Sequence, residues 1–333
     1  MSVEGHAGVI LPPWTRLQPR RIVFVGCDDH VSQLSMRINA GSSPRSIRTE
    51  VVRVLKSNGD DLTEKLLPET LKRERVWGLV VGADIALRLP APLLLRCRLN
   101  GIHVLDEASF WERELHCIHV ESLYPSWLLS GEGFHHGRLG DFGKRCLDLL
   151  IAAMLILFTL PLMLLIALLI KCDSRGPIFY RQERVGLHGR GFSLFKFRSM
   201  CRDAEPEGNP VWAAKRDPRI TRVGRLIRYT RMDELPQLWN VFRGDMSLIG
   251  PRPERPYFVE QLAAAIPLYA ERHSVKPGIS GWAQVSIAYG ASFEDAREKL
   301  RYDLYYIKNR SFFLDLQIMV LTLRVVLLQR GAR

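Results

Sequence analysis

The sequence lacks the cysteine patterns that define disulfide frameworks and zinc sites. Its six cysteines are scattered, with no C-x-x-C pair and no cluster of His and Cys at zinc-ligand spacing. These absences favour reduced thiols in a cytosolic setting. The N-terminal stretch also lacks an apolar segment behind a basic one, so we expect no secretory signal and interpret residues 1–20 as a flexible tail.

Acidic residues are in deficit. The chain has 47 lysines and arginines against 35 aspartates and glutamates, which gives a formal net charge of +12. An excess of this size indicates an anionic partner, such as nucleic acid, a lipid headgroup surface or a phosphate-bearing metabolite. With 333 residues and 47% hydrophobic content, the chain can bury a core and form about two domains.

Residues 21–125 show the alternating pattern of an α/β domain. Short apolar runs at 21–26, 76–84 and 101–106 predict strands of a small Rossmann-like sheet. The residues after Gly26 lack the G-x-G-x-x-G spacing that brings backbone close to a pyrophosphate. We therefore interpret this domain as structural or regulatory. A polar, Gly-rich stretch at 126–143 is interpreted as a linker.

The segment Leu149–Ile170 contains no charged residue. At about 1.5 Å per residue a helix of this length could just cross a bilayer, so a plain transmembrane span is one interpretation. However, Pro161 lies near the middle, where proline removes a backbone hydrogen bond and kinks a helix. Both flanks are basic, whereas a single span carries its positive bias on one side. These features favour a re-entrant helix over about 147–170 whose basic flanks meet anionic headgroups.

Aromatic and aliphatic residues alternate with basic ones after this segment, which predicts a hairpin turned at 187–191. Basic residues interleaved with aromatics can bind nucleic acid, but beside a membrane anchor lipid phosphates and a phosphorylated substrate explain them better. The last apolar stretch, from Ser311 onwards, is interrupted by charged residues. An interfacial helix and a packing helix both remain open for it.

Asp233 and Glu234 stand side by side after a series of arginines spaced three apart. Pro236 suits the first turn of a helix and Gly244 is a natural stop, so we predict a helix with Asp233 near its N-cap and Glu234 just inside. The acids could simply be capping residues, although a helix N-terminus also binds phosphate. The arginines drift about 60° per step around a helix, so we expect only one or two to reach a substrate phosphate.

Arg252 lies between Pro251 and Pro253, which would present its guanidinium from a stiff loop. A rigid cation near two acids predicts a diphosphate site in which the acids hold Mg²⁺. A Gly-rich turn followed by a tryptophan lies further along the chain. Its glycines suit a close approach of the backbone, and its tryptophan suits stacking. We predict that it forms a substrate or nucleotide loop with four residues: Pro277, Gly278, Gly281 and Trp282.

Residues 144–333 resemble the bacterial sugar transferases, the monotopic phosphoglycosyl transferases that start polysaccharide assembly on polyprenyl phosphate. The resemblance is carried by KRCLDLLIA, GPIFYRQERVG, FKFRSM, RYTRMDELPQLWNVFRGDMSLIGPRP, KPGISGWAQV and YDLYYIKNRSFFLDLQIMVLT, which occur in the order and at the spacing of the family. PRPERPYFVEQL and YGASFEDAREKL are similar to members associated with exopolysaccharide gene clusters.

The chain departs from the family pattern in two places. Such members often carry transmembrane helices before the Rossmann-like part, and this sequence shows none there, so we expect the N-terminal domain to lie in the cytoplasm. Leu160 stands where the family tends to place a small polar residue before the re-entrant proline. The second departure concerns the hydrogen bonding of the kink at Pro161, not the kink itself.

The resemblance implies that Asp233 is the nucleophile. It would attack the β-phosphate of a UDP-sugar, expel UMP and form a covalent sugar-phosphate intermediate, from which undecaprenyl phosphate would take the sugar phosphate in a ping-pong step. Glu234 would be a Mg²⁺ ligand, together with Asp233, or a proton-handling partner. The substrate phosphates would be bound or supported by basic residues: Arg228, Arg252, Lys196 and Arg198.

The expected fold class is therefore α/β, with an N-terminal Rossmann-like domain and a membrane-associated, mixed α/β catalytic domain containing a re-entrant helix. The resemblance implies the cytoplasmic face of the bacterial inner membrane and the first membrane step of exopolysaccharide biosynthesis. Expected partners are a UDP-sugar, undecaprenyl phosphate and membrane lipids, but no nucleic acid; a homodimer and the identity of the sugar stay open. The competing hypothesis is a catalytically silent, membrane-tethered scaffold, against which the presence of Asp233, Glu234 and Arg252 speaks.

Overall fold

The structure, a computed structural model, describes residues 20–26, 49–55, 65–86, 88–120, 133–134, 137–201, 217–287, 290 and 292–327. The chain divides into two compact units, Met1–Glu132 and Gly133–Arg333, and the division falls inside the predicted linker. The predicted flexible tail lies outside the described residues except for Arg20, which opens the first strand.

The first unit contains a four-stranded sheet in which all strands are parallel, in the order β2-β1-β3-β4. The strands are β1 Arg20–Val25, β2 Thr49–Leu55, β3 Gly78–Val81 and β4 His103–Asp106. The helices described in this unit are α1 Pro68–Arg73, α2 Ala83–Ala86, α3 Ala91–Leu99 and α4 Glu107–Leu115. The mixed α/β class predicted from the sequence is confirmed.

The core of this unit lies between the sheet and its helices. Val23 and Leu79 on the central strands are 0% exposed and share a cluster with Leu71, Ile85 and Cys97. The three apolar runs predicted as strands correspond to β1, β3 and β4. β2 was not predicted, because charged residues interrupt its apolar pattern.

The second unit begins with a helix of 36 residues, α5 Arg138–Asp173, which remains helical through Pro161. The predicted bounds of this helix were too short, and the predicted linker was wrong from residue 138 onwards. The helix extends further towards its N-terminus than predicted. Its charged residues there are stabilised by polar groups from later parts of the same unit. Lys144 Nζ lies 2.7 Å from Asp315 Oδ2, and Arg145 Nη1 donates to the carbonyl of Val241 at 2.7 Å.

Both ends of α5 are anchored in the second unit, whereas its middle is exposed. Near one end the Asp148 carboxylate accepts a hydrogen bond from the Leu248 amide at 3.2 Å. Near the other end Ile166 and Ile170 are buried in a cluster with Phe197 and Ile227. Between them several apolar residues are mostly exposed, among them Leu157 at 72% and Phe158 at 76%.

The rest of the second unit surrounds two small sheets. The hairpin β5 Phe179–Val185 and β6 Gly191–Phe197 is antiparallel around a 3₁₀ turn at Leu187–Gly189, which confirms the predicted hairpin. β7 Ser247–Ile249 pairs in parallel with β8 Gly278–Ser280. The helices described after α5 are α6 Arg222–Tyr229, α7 Gln237–Arg243, α8 Pro256–Ala265, α9 Trp282–Ser286, α10 Phe293–Asn309 and α11 Phe312–Leu327.

Helix α11 combines features of the two interpretations left open for the last apolar stretch. Ile318 is 0% exposed and Leu314 is also buried, so one face packs on the core. Phe313 and Leu323 on the same helix are exposed at 79% and 62%. The packing role is therefore confirmed, and the exposed apolar face keeps the interfacial role as a prediction.

Candidate active site

Asp233 and Glu234 lie in a 3₁₀ turn, Met232–Glu234, between α6 and α7. The predicted N-cap position was wrong, because α7 begins only at Gln237 and Pro236 occupies the N-cap. The predicted stop at Gly244 is confirmed: this residue ends α7 with a φ of 97°, in the left-handed region that favours glycine. The acids thus belong to a separate turn ahead of the helix.

Glu234 is held by two cations. Lys196 Nζ and Arg252 Nη2 both donate to its Oε1, at 3.1 and 2.5 Å, and the glutamate side chain is 13% exposed. Burial opposes ionisation of Glu234, but Arg252, Lys196 and Arg231 outweigh burial and hold the pKa of this carboxyl well below its usual range. Glu234 is therefore ionised at neutral pH and fixes the two cations in place.

Asp233 has the opposite electrostatic character. Burial, and then the negative charge of Glu234, raise the pKa of Asp233 to about 6, although Lys196, Arg228 and Arg252 act to lower it. At neutral pH this carboxylate is ionised but poorly solvated, and both cations donate their hydrogen bonds to its neighbour. A desolvated carboxylate of raised basicity among positive charges is suited to attack an anionic electrophile.

Two members of the arginine series act electrostatically on the acids, and their predicted contact with a substrate phosphate stays a prediction. Arg228, on α6, favours the ionised form of Asp233, and Arg231 does the same for Glu234. Arg222 and Arg225 are exposed on α6. A fifth member is committed elsewhere, since Arg219 Nε donates to Asp217 Oδ1 at 2.8 Å.

The loop that carries Arg252 is fixed through its backbone. The carbonyl of Arg252 accepts a hydrogen bond from Arg272 Nη2 at 3.0 Å, and the same nitrogen donates to Asp303 Oδ2 at 2.8 Å. Arg272 and Asp303 form a buried ion pair with side chains 5% and 3% exposed. On the next residue, the Pro253 carbonyl accepts from Arg184 Nη1 at 3.1 Å. Backbone contacts therefore hold Arg252 in front of Glu234.

The Gly-rich turn was predicted to approach a substrate or nucleotide, and the close backbone approach that the structure shows is to the Arg252 loop. The Gly250 amide donates to the Ser280 carbonyl, and the Gly278 amide donates to the Pro251 carbonyl, both at 2.9 Å. A Cβ on Gly278 would lie 2.1 Å from the Gly250 nitrogen, and one on Gly281 would lie 2.3 Å from the Gly250 oxygen. The turn thus supports the loop that presents Arg252.

Two residues predicted to contact a ligand, Pro277 and Trp282, are buried in the protein. Trp282 is 1% exposed and its ring packs against Tyr305 at 6.0 Å, so it belongs to the core and offers no face for stacking. Pro277 is also buried, and its carbonyl accepts from the Ser247 amide at 2.8 Å. Pro277 thus supports the sheet formed by β7 and β8, whereas Trp282 packs against α10.

Arg198 is likewise placed away from the predicted phosphate site. It is 6% exposed, and its Nη2 donates to the carbonyl of Ser174 at 2.7 Å and to the hydroxyl at 2.8 Å. Its Nη1 donates to the Arg175 carbonyl at 3.2 Å. The guanidinium therefore satisfies carbonyls at the C-terminal end of α5, which carries partial negative charge. Lys196, from the same strand region, does reach the acids.

The sequence analysis missed the three residues that fix the Arg252 loop: Arg184, Arg272 and Asp303. No local sequence pattern identifies these residues, because their partners are distant in the chain. Arg272 and Asp303 are 31 positions apart, and Arg184 is 69 positions from the carbonyl that it contacts. Arg184 lies in a strand in which four successive residues, 181–184, are charged or polar. Only the folded backbone shows which of these cations points inward.

The second unit combines a helix long and apolar enough to cross a membrane with an acidic pair among cations, which defines a class suited to phosphoryl chemistry on an anionic substrate. Residues 139–329 match the family model described as bacterial sugar transferase. The chain belongs to the bacterial sugar transferase family, as its motifs predicted.

Curated relatives carry names that agree with this family. The chain is 46% identical to a UDP-N-acetylgalactosamine-undecaprenyl-phosphate N-acetylgalactosaminephosphotransferase of Aeromonas hydrophila, over 68% of this chain and 58% of the relative. It is 33% identical to an undecaprenyl-phosphate glucose phosphotransferase of Komagataeibacter xylinus, over 100% of this chain and 64% of the relative. It is 44% identical to a UDP-glucose:undecaprenyl-phosphate glucose-1-phosphate transferase of Xanthomonas campestris pv. campestris, over 57% of this chain and 40% of the relative. The chain thus spans less than two thirds of the length of these relatives.

We expect the substitution Gly250→Ala to displace the Arg252 loop. The added Cβ would lie 2.4 Å from the Lys276 carbonyl oxygen, which is backbone and cannot rotate away. Overpacking of this kind costs about 1–3 kcal/mol, so the midpoint of thermal unfolding should fall. The matched control is Gly140→Ala, because nothing lies within 4 Å of that position. Equal unfolding midpoints for the two variants would contradict the close approach.

Proposed function

We propose that the protein transfers a sugar 1-phosphate from a UDP-sugar to undecaprenyl phosphate and releases UMP, as the first membrane step of exopolysaccharide assembly. The observation that carries the proposal is Asp233, a poorly solvated carboxylate with a raised pKa among Lys196, Arg228 and Arg252. The names of the relatives support the substrates, and family membership supports the reaction class.

In the first step an oxygen of Asp233 attacks the β-phosphorus of the UDP-sugar. A bond forms between this oxygen and phosphorus while the bond from phosphorus to the bridging oxygen breaks, and UMP leaves with that oxygen and its electron pair. The positive charges of Arg228 and Arg252 offset the repulsion between the carboxylate and the diphosphate. Lys196 keeps Glu234 in place beside the nucleophile.

In the second step a phosphate oxygen of undecaprenyl phosphate attacks the same phosphorus. The bond to Asp233 breaks, the carboxylate is regenerated, and the product is a sugar linked to undecaprenyl diphosphate. Two displacements at one phosphorus make the reaction ping-pong. The second substrate binds only after UMP has left.

Mg²⁺ is part of this proposal. Among the described residues no group of three or more His, Cys, Asp and Glu converges on one point. Mg²⁺ often uses one or two carboxylates plus phosphate oxygens of the substrate, and Asp233 with Glu234 fits that mode. A cation there would also relieve the repulsion that Glu234 imposes on Asp233. When bound, the ion would neutralise charge on the diphosphate.

The decisive assay measures UMP release from a panel of UDP-sugars with purified full-length protein, Mg²⁺ and undecaprenyl phosphate. We expect Asp233→Asn to lower the rate about a thousandfold or more, because the amide cannot form the acyl phosphate. Glu260→Gln, on the exposed side of α8, is the matched control and should retain full activity. If the Asp233→Asn variant released UMP at the wild-type rate, Asp233 would not be the nucleophile. No release from any UDP-sugar by the wild type would favour the scaffold hypothesis.

The pKa of Asp233 predicts how the Mg²⁺ requirement depends on pH. The carboxyl binds a proton as pH falls through about 6, and a protonated carboxyl is a poor Mg²⁺ ligand. The Mg²⁺ concentration for half-maximal UMP release should therefore rise between about pH 7 and about pH 5. A Mg²⁺ requirement that is constant over this range would show that Asp233 does not titrate there or does not hold the ion.

We further propose that α5 enters the membrane from the cytoplasmic face and returns to it, with the bend at Pro161. By length and composition α5 could cross a membrane, and 11% of its apolar window is buried. Asp148 near one end and Ile170 near the other both contact the same unit, so a spanning helix would separate two parts of one folded body. The Thr159 hydroxyl donates to the Leu155 carbonyl at 2.6 Å, a contact that often accompanies helix bending.

We also propose that the first unit, with its four-stranded parallel sheet, is a Rossmann-like domain.

Two native cysteines test this topology. Cys146 and Cys172 are exposed and flank the apolar run. With a membrane-impermeant maleimide and peptide mass spectrometry, we expect both to be labelled in inside-out vesicles and neither in right-side-out vesicles. Labelling of the two cysteines from opposite faces would demonstrate a span and contradict the re-entrant arrangement.

A further inference from the structure

Strand β7 leads directly into the loop that carries Arg252. The strand ends at Ile249, all three of its residues are buried, and Arg252 is the third residue after it. From this loop Arg252 Nη2 donates to Glu234 Oε1. A displacement of β7 would therefore move Arg252 relative to the acidic pair.

Helix α5 contacts β7 directly. Asp148, which precedes the apolar run Leu149–Ile170, is 5% exposed, and its Oδ1 accepts a hydrogen bond from the Leu248 amide at 3.2 Å. The helix that is proposed to enter the membrane thus holds a backbone group of the strand that leads to Arg252.

A second connection to β7 runs through Tyr306, on α10. This tyrosine is 1% exposed, and its hydroxyl oxygen lies 3.1 Å from the Ile249 carbonyl oxygen and 2.8 Å from Asp315 Oδ1. A hydroxyl has one hydrogen, so the two acceptors share it. Burial, and then the charge of Asp315, raise the pKa of Tyr306 well above its usual value, so the hydroxyl keeps this hydrogen. Tyr306 therefore links β7 to Asp315 on α11.

Lys144, on α5, controls how strongly Asp315 competes for that hydrogen. Its Nζ lies 2.7 Å from Asp315 Oδ2, and the side chain of Asp315 is 6% exposed. While the ammonium group offsets the charge of Asp315, the Tyr306 hydrogen can be shared with the Ile249 carbonyl. If α5 moved away, Asp315 would be a buried anion without its ion-pair partner and would draw the hydrogen to itself. The Ile249 carbonyl would then lose this hydrogen bond.

We propose that Lys144, Asp315 and Tyr306 are positioning residues that couple the placement of α5 in the membrane to the placement of Arg252 in the active site. This inference rests on the proposed function and on the proposed entry of α5 into the membrane. A misplacement of about 1 Å in a group that binds the substrate can cost about a hundredfold in rate. The coupling would thus restrict sugar-phosphate transfer to protein whose α5 is in place beside the lipid acceptor.

The first test measures hydrogen exchange by mass spectrometry on the full-length protein in lipid nanodiscs. We expect Tyr306→Phe and Lys144→Met each to speed the exchange of the amides of residues 247–252 about fivefold, because β7 loses one hydrogen bond. The hairpin at residues 179–197 should exchange as in the wild type. Lys171→Met is the matched control, because it removes the same charge from the other, exposed flank of the apolar run and should leave residues 247–252 unchanged.

A rescue variant separates charge competition from a general loss of packing. In the double variant Lys144→Met with Asp315→Asn, the neutral amide competes less for the Tyr306 hydrogen, so the exchange of residues 247–252 should return to the wild-type rate. Exchange that stays at the wild-type rate in both single variants would overturn the proposal. Exchange that is as fast in the double variant as in Lys144→Met would also overturn it.

The second test is a double-mutant cycle on kcat/KM for UMP release, with Arg252→Lys as the second substitution. We expect Tyr306→Phe to lower kcat/KM about tenfold in the wild type but about twofold or less in the Arg252→Lys background, because Tyr306 acts through Arg252. Tyr257→Phe, an exposed tyrosine on α8, is the matched control and should have no effect in either background. Equal losses in the two backgrounds would show that Tyr306 acts on the fold as a whole and would overturn the proposal.

Thermal unfolding identifies a variant that has lost its fold. If Tyr306→Phe does not fold, Lys144→Met and its rescue variant carry both tests. A wild type that releases no UMP from any UDP-sugar would count against the proposed function, whereas hydrogen exchange tests the positioning of the Arg252 loop independently of activity.

Discussion

Glu234 is the residue on which the site depends, because one carboxylate oxygen accepts hydrogen bonds from two cations that lie far apart in the chain. Lys196 lies near the end of the second strand of the hairpin, and Arg252 lies in a loop between two prolines. In a partly buried setting such charge-assisted bonds are strong, and removal of one partner leaves an uncompensated charge. Glu234 thereby gathers positive charge around Asp233 and also adds the negative charge that helps to raise the pKa of Asp233.

Two sets of contacts hold Glu234 and its two cations in place. The buried pair of Arg272 and Asp303 holds the carbonyl of Arg252, and the contact between β7 and β8 holds the turn before it. On the other side, Phe197 packs against the end of α5 and links the strand that precedes Arg198 to the apolar helix. The site proposed to bind two anionic substrates, one of them a lipid, is thus tied directly to the element proposed to enter the membrane.

The sequence predicted the parts of the structure that depend on local chemistry. A proline at the start of α7, a glycine at its end, a hairpin with a Gly-containing turn and a long apolar helix each follow from the residues in place. Asp233, Glu234, Arg228, Arg252 and Lys196 were also predicted, and the structure brings them together. The errors concern the bounds of α5 and of the linker, the N-cap of α7, the direction of side chains and their long-range partners. Arg198 faces the end of α5, and Trp282 faces the core, because tertiary packing decides which way a side chain points.

The central claim is that Asp233 forms a covalent bond to the sugar phosphate, and intact-protein mass spectrometry tests this claim most directly. The full-length protein would be incubated with Mg²⁺ and the UDP-sugar that it consumes, without undecaprenyl phosphate. We predict an adduct of one sugar phosphate, located by peptide analysis at Asp233, together with an equimolar burst of UMP and loss of the adduct when undecaprenyl phosphate is added. An unmodified protein that releases UMP only after the lipid acceptor is supplied would contradict the account.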